Sequence, residues 1–385
     1  MPYLTRVLGP DAYAVRAYVL AVMTIVQVFL DFGFTAYGTK AVAQAKNNLT
    51  LIRIETSAIM ALRLILCSVG AIVLFPICKL IAILDSNIIY VYIAYIGVCL
   101  TALLPDFIFQ GQEDMSILTK RYVASQIVSV FLIFFLIHSD QDILLVPVIE
   151  TIATAIGLIW SWHNVVIVKQ IVLVKFSLQK FKTIFKETSI FFLSSASTVL
   201  FSSLTTILIG IYINDASLIS YWSIAISIIT AIQSLYTPIA NSLYPHMVKK
   251  KDIKLTKFLL IAGTIAALIG TLLFGYLSDF IMLLIGGTAY LEGSYILVLL
   301  SPLLLLSYPA IILGYPVLAA IDKTSLLTLS SVLSSTFHII GLIFLLLSGN
   351  FNIVNISLLR CLTELVLVFF RILFSYRSLS GKNRK

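Results

Sequence analysis

The sequence predicts an all-α integral membrane protein, with eleven transmembrane helices present of an expected twelve, arranged as two pseudo-repeated helical bundles around a central cavity. Three observations carry this expectation. Of 385 residues, 60% are hydrophobic and 11% charged, and mean hydropathy is +1.06, whereas a water-soluble domain carries about a quarter charged residues. Apolar runs of roughly 20 residues, the length a helix needs to cross about 30 Å of hydrocarbon, recur along the whole chain. The connections between those runs alternate in charge.

The runs are Ala12 to Gly38, Ser57 to Leu84, Ile88 to Phe109, Tyr122 to His138, Ile143 to Trp162, Thr188 to Ile213, Ser217 to Tyr244, Phe258 to Ile285, Tyr295 to Ile321, Ser325 to Leu347 and Ile353 to Tyr376. One set of connections holds Lys40, Lys46 and Arg53, then Lys120 and Arg121, then Lys169, Lys175, Lys180, Lys182 and Lys186. The same set continues with Lys249 to Lys251, Lys254, Lys257 and Lys323, and ends with the tail from Arg377 to Lys385. The opposite set holds Asp85, Asp140, Asp142, Asp215, Asp279 and Glu292, with no Lys or Arg after Arg6. The positive-inside rule puts the basic set and the carboxyl terminus in the cytoplasm and residue 1 outside. The net charge of +9, from 26 basic and 17 acidic residues, is therefore topology, and no nucleic-acid partner is expected. An outside amino terminus ordinarily follows a signal peptide or a preceding span, and Met1 to Asp11 supplies neither. The sequence thus reads as the last eleven helices of a twelve-helix chain.

The longest basic connection divides the chain into a lobe at 1–162, a linker at 163–187 and a second lobe with a basic tail at 188–385. A weak internal echo supports the division. Ser116-Ile117-Leu118-Thr119 opens the fourth span and Ser325-Leu326-Leu327-Thr328 the tenth, and the same offset aligns Val123 with Val332, Ser125 with Ser334, Phe135 with Phe344 and Ser139 with Ser348. The last span of each half holds a lone glutamate, Glu150 and Glu364, beside Thr151 and Thr363. Parallel repeats around a cavity are a transporter design.

The chain holds no GxxxxGK[ST] loop for nucleotide, and no HExxH or GxSxG motif for hydrolysis. Cys67, Cys78, Cys99 and Cys361 sit in apolar runs without a CxxC pair, and His138, His163, His246 and His338 are scattered, so they read as packed or interfacial residues. No cofactor, metal site or catalytic residue is expected.

Charges inside the spans are the main functional signal, because an arginine or aspartate at mid-bilayer costs on the order of 3 kcal/mol and ordinarily faces a cavity, a partner or a pathway. Arg16, Arg63 and Arg360 are the candidate contacts for an anionic cargo, since a guanidinium presents a planar fork to phosphate oxygens. Asp31, Asp106, Glu150 and Glu364 are candidates for ion coupling or gating. Structural roles are the alternative: an Arg360–Glu364 pair on one helix face, snorkelling of Arg16 and Asp31, and capping by Asp106 after Pro105. Ser195, Thr198, Ser202 and Thr206 form a hydroxyl stripe, and Gln233, Thr237 and Asn241 another. Gln233 and Asn241 are the candidate sugar contacts, with close helix packing the alternative for the Ser and Thr positions. Pro76, Pro105, Pro147, Pro238, Pro302, Pro309 and Pro316 interrupt the spans as bent or hinging helices do.

The blocks Pro2-Tyr3-Leu4-Thr5-Arg6-Val7-Leu8-Gly9-Pro10, Asp31-Phe32-Gly33-Phe34, Phe109-Gln110-Gly111-Gln112-Glu113 with Met115, and Pro238 to Pro245 resemble the Wzx-type O-antigen flippases. These are the polysaccharide-transport branch of the multidrug/oligosaccharidyl-lipid/polysaccharide exporter superfamily. The resemblance implies twelve helices in two six-helix lobes and both termini in the cytoplasm of a bacterial inner membrane. It further implies movement of undecaprenyl-diphosphate-linked oligosaccharide repeat units between leaflets, with a polymerase and a chain-length regulator as candidate partners. In that family the first block follows the first helix, which this sequence lacks. Export of another lipid-linked glycan is the alternative within the superfamily. A membrane polysaccharide polymerase or acyltransferase is a more distant one, since the longest external connection runs only from about Gly286 to Ser294.

Overall fold

The computed structural model describes residues 2–45, 48–213, 215–250, 252–321 and 323–380, and most side chains between 190 and 202 lie outside the description. The described chain is helical almost throughout, as apolar segments without water as a backbone partner must be. Ten of its helical stretches are long and apolar enough to cross a membrane. The eleventh expected span, Thr188 to Ile213, falls in a helix whose described apolar part is the short stretch Ser203–Tyr212.

The chain divides into two compact units, one of Val7–Val199 and one of Met1–Arg6 with Leu200–Lys385. The first unit is built from α1 (Pro2–Asp31), α2 (Phe34–Ala45), α3 (Leu49–Leu80), α4 (Ala82–Asp85), α5 (Ile88–Ala102), α6 (Asp106–Gly111), α7 (Met115–Leu136) and α8 (Leu145–His163). The chain passes between units inside α9 (Leu178–Tyr212). The second unit follows with α10 (Ala216–Gln233), α11 (Thr237–Lys250), α12 (Ile253–Tyr276), α13 (Ser278–Gly286), α14 (Ser294–Leu300), α15 (Pro302–Ile312), α16 (Thr324–Leu347) and α17 (Ile353–Ser380).

Residues 2–11, read from the sequence as an external lead-in, are instead helical and run into the first span. The break comes at Gly9, whose φ of 66° and ψ of 172° lie outside the helical region. Only glycine adopts that conformation without strain, and Pro10 restarts the helix with its ring-fixed φ. The turn before the break packs in the second unit, where Thr5 Oγ1 donates to the Ile285 carbonyl at 2.6 Å and an Arg6 guanidinium N–H to that of Leu284 at 2.5 Å.

Within the first unit α8 packs against α5 and α7, and α2 against α3 and α6. Phe34, Tyr37, Ile52, Ile59, Phe107 and Phe109 form a buried cluster at its basic end, joined by Val165, Ile171 and Ile184 from the segment after α8. That segment is strapped down by polar bonds. Arg53 donates to the Gln170 carbonyl at 2.6 and 3.1 Å, Val174 N to Ser57 Oγ at 2.8 Å, Lys169 pairs with Asp114 at 2.9 Å, and Lys180 pairs with Glu55. In the second unit α17 packs on α14, α15 and α16. Large apolar side chains face outward, among them Leu80, Tyr276 and Leu347 at 84%, 86% and 84% exposure, a surface suited to lipid and not to water.

Candidate functional site

Each predicted arginine stands beside a carboxylate. On α1, Arg16 Nη2 meets Glu150 Oε1 of α8 at 3.0 Å. The guanidinium is 9% exposed and the carboxylate 46%, so the pair is accessible from its acidic side. It opens on a cavity of about 160 Å³ inside the first unit, lined among others by Tyr90, Thr101, Pro147, Thr151 and Thr154. Gly97 lets α5 lie against Thr151, whose hydroxyl donates to the Ile93 carbonyl at 3.2 Å. This closeness is what brings the lining threonines to the pair.

Arg63 on α3 is 2% exposed, and its two Nη atoms carry its hydrogen bonds while its buried Nε makes none among the described residues. Its Nη2 donates to Asp31 Oδ1 at 2.7 Å and to Thr35 Oγ1 at 2.8 Å, and its Nη1 donates to the Leu104 carbonyl at 3.0 Å. The Phe34 and Phe107 ring centroids lie 6.0 and 5.6 Å from its Cζ, within cation–π reach. Asp106 pairs with a residue the sequence reading left in a connection. Arg121 is buried on α7 and embraces both Asp106 oxygens, with Nη2–Oδ2 at 3.0 Å and a further bond from Nη1 to Ser161 Oγ at 3.2 Å. The reason is physical: α7 begins at Met115, so the Lys120–Arg121 step lies within its first turns. A bidentate carboxylate makes a buried guanidinium tolerable there.

In the second unit Arg360 Nη1 and Glu364 Oε2 pair at 2.9 Å, four apart on α17. Beside them Thr363 Oγ1 donates to the Leu359 carbonyl at 2.7 Å and lies 2.8 Å from Nδ1 of the buried His338. Nδ1 is thus placed to donate, and Nε2 lies 2.8 Å from Thr205 Oγ1. Gln233 is half-buried at the end of α10 and Asn241 is exposed on α11. Of the expected hydroxyl stripe, the side chains of Ser195, Thr198 and Ser202 lie outside the described residues. Thr206 is buried and accepts from the Trp222 indole at 3.2 Å, a packing contact.

Sequence reasoning passed over Arg371, which sits in the last span by the same rule that picked out Arg360. It reaches from α17 toward α15 and α16, and its contacts are neutral oxygens: the Ala310 carbonyl at 2.5 Å, Ser330 Oγ at 3.5 Å and Ser331 Oγ at 3.4 Å.

An all-helical bundle with paired charges inside its spans is a design shared by many membrane proteins, and sequence comparison narrows it. Residues 1–251 match the family described as polysaccharide biosynthesis protein. The chain belongs to that family. It is 24% identical over 246 residues to a protein of Escherichia coli (strain K12) named "Putative O-antigen transporter", covering 64% of this chain and 59% of that one. It is 26% identical over 253 residues to a protein of the same name from Shigella dysenteriae, covering 65% and 62%. The match therefore spans about three fifths of these curated relatives. Among solved structures, the fold is similar to an inward-facing multidrug resistance MATE family transporter of the MOP superfamily, with a TM-score of 0.80 at 12% identity over 100% of this chain and 94% of that one. An outward-facing structure of such a transporter matches with a TM-score of 0.65 at 13% identity over 98% and 89%. The polysaccharide-family resemblance carried by the sequence blocks is thus borne out, as is a multi-pass helical membrane fold.

Proposed function

We propose that this chain moves undecaprenyl-diphosphate-linked O-antigen repeat units from the cytoplasmic to the periplasmic leaflet of a bacterial inner membrane by ion-coupled alternating access, with its carboxyl terminus in the cytoplasm. The observation that carries the reading is the Arg16–Glu150 pair on a cavity within the spans of a polysaccharide-family membrane protein. A desolvated guanidinium needs a counter-anion. While the carboxylate supplies it, the site is neutral and closed. Opening of the pair frees Arg16 for a phosphate oxygen of the cargo, and re-forming it expels the cargo by restoring the internal counter-ion. Arg63 with Asp31 and Arg360 with Glu364 supply further exchangeable pairs, and Asp106 gates through Arg121. Gln233 and Asn241 contact sugar hydroxyls. The lipid tail stays in the bilayer throughout.

The test is surface polysaccharide in a strain whose own flippase gene is deleted, with the chain supplied at matched level. Wild type restores polysaccharide, and Arg16→Ala, Arg63→Ala and Arg360→Ala each reduce it. Normal polysaccharide from all three variants removes the pair-exchange mechanism, and failure of wild type to restore it removes the transport reading.

A further inference from the structure

Four guanidiniums in the spans, those of the buried Arg16, Arg63 and Arg121 and the half-buried Arg360, each have a carboxylate at bonding distance. Arg371 has no ion-pair partner among the described residues. Of its five N–H donors, one reaches a carbonyl at 2.5 Å and two reach serine hydroxyls at 3.4 and 3.5 Å, the last two at the outer limit for a hydrogen bond. Glu364, seven residues earlier on α17, acts on it electrostatically without bonding to it, and a cation at membrane depth without a bonded counter-ion is a functional signal by default.

Its surroundings are also unusual. Arg371 lies against Gly314, in the π-helical stretch Leu313–Ala319 that continues α15 and is broken at Gly314 by a ψ of −107°. A Cβ on Gly314 would stand 2.8 Å from Arg371 Nη1, so the guanidinium occupies the space that the missing side chain leaves. The next residue, Tyr315, is 52% exposed and stacks on Tyr244 of α11 with ring centroids 4.2 Å apart. An irregular helix beside a charged residue is the arrangement by which membrane transporters hold ions and charged substrates. Arg371 precedes Arg377, in the last turn of α17, by six residues, roughly 9 Å along a helix. The site is therefore within two helical turns of the basic end of α17.

We propose that Arg371, cradled by Gly314 and flanked by the Tyr244–Tyr315 pair, is a phosphoryl-anion site of the second unit. Its occupant is the phosphate or diphosphate ester of a membrane lipid, and the aromatic pair is the platform for a sugar joined to it. The inference rests on the transport reading above for the choice of a glycan carrier. It differs in its residue, since the arginines named there already hold internal counter-ions and this one does not. The fork of guanidinium donors matches phosphate oxygens in pairs, and a lipid ester carries that charge on a molecule already held in the membrane.

The experiment is equilibrium binding of radiolabelled undecaprenyl diphosphate to the full chain in phosphatidylcholine nanodiscs, with inorganic pyrophosphate and phosphatidylglycerol as competitors. Arg371→Gln removes the charge. Gly314→Ala keeps the charge and displaces the guanidinium, so a fold lost through removal of arginine does not hide the answer. Both are expected to weaken binding roughly tenfold or more, as loss of charge-assisted bonds does, with Arg371→Lys between them and wild type. If phosphatidylglycerol displaces the label from wild type, and its own binding is lost in Arg371→Gln, the site stands with a phospholipid as occupant. Wild-type binding by both variants at unchanged melting temperature overturns the assignment, as does absence of binding of all three probes to wild type. If surface polysaccharide still depends on the chain in either case, the Arg371 site alone falls. If it does not, the transport reading falls too.

Discussion

Asp31→Leu should destabilise this protein far more than the surface loss of one carboxylate. The Arg63 side chain is 2% exposed and that of Asp31 29%, so removing the acid leaves a guanidinium buried with only Thr35 and the Leu104 carbonyl as partners. Breaking a buried pair by removing one member costs about 3–5 kcal/mol, and the partial exposure of Asp31 sets the expectation at the low end, about 3 kcal/mol. Arg63→Met alone should cost less, since the stranded Asp31 keeps water and the Thr35 hydroxyl, which donates to it at 2.5 Å. The double variant Asp31→Leu/Arg63→Met should recover most of the loss, because an apolar replacement of both members is near neutral. The assay is denaturant unfolding in detergent micelles followed by tryptophan fluorescence. Trp162 reports locally, as its indole donates to the Leu103 carbonyl at 3.2 Å. A double-mutant cycle with coupling below about 0.5 kcal/mol would refute the reasoning, because it would mean that the pair carries no more than an exposed one.

The other consequences can be checked separately. Glu150→Gln leaves the desolvated Arg16 with a neutral partner in place of its counter-charge, so polysaccharide assembly should fall at matched protein level. Full activity from that variant contradicts charge exchange at the pair. Asp142 accepts from the backbone N–H of His138 and Ser139, each at 3.0 Å, which holds its carboxyl below the usual range. Because its folded value is depressed, its contribution is present above about pH 3.9 and is lost as pH falls through the lower folded value. Asp142→Asn should therefore melt earlier than wild type at pH 7, and the gap should narrow as pH falls into the acid range. A gap that does not narrow speaks against the capping role. Gly9→Ala should cost on the order of 1 kcal/mol through its positive φ alone, since nothing lies within 4 Å of the added Cβ. An unchanged melting temperature would show that the break shifts to another residue.

The spans were largely legible, because insertion in hydrocarbon imposes length and polarity on the sequence itself. The last span, read as Ile353 to Tyr376, is the helix Ile353–Ser380. The fourth, read as starting at Tyr122, begins at Met115, and the error has a cause. Arg121 is hidden by Asp106 fifteen positions earlier, and charge counting reads such a residue as a loop. Partner choice was legible only where it is local. Arg360 and Glu364 lie four apart on one helix, whereas Arg16 and Glu150 are separated by 134 positions, and nothing in composition joins them. Arg371 stood in plain view within an apolar run, but what distinguishes it is that its hydrogen bonds among the described residues go to neutral oxygens, which only the packing of α15 and α16 reveals.

Movement of a lipid-linked saccharide between leaflets is measured by following that lipid itself. In a flippase-deleted strain supplied with the chain, labelled undecaprenyl-diphosphate repeat units should become accessible to a membrane-impermeant glycosidase added to spheroplasts, and Arg16→Ala at equal abundance should lower that rate. Repeat units that stay protected at the inner leaflet in the presence of the wild-type chain would contradict the account.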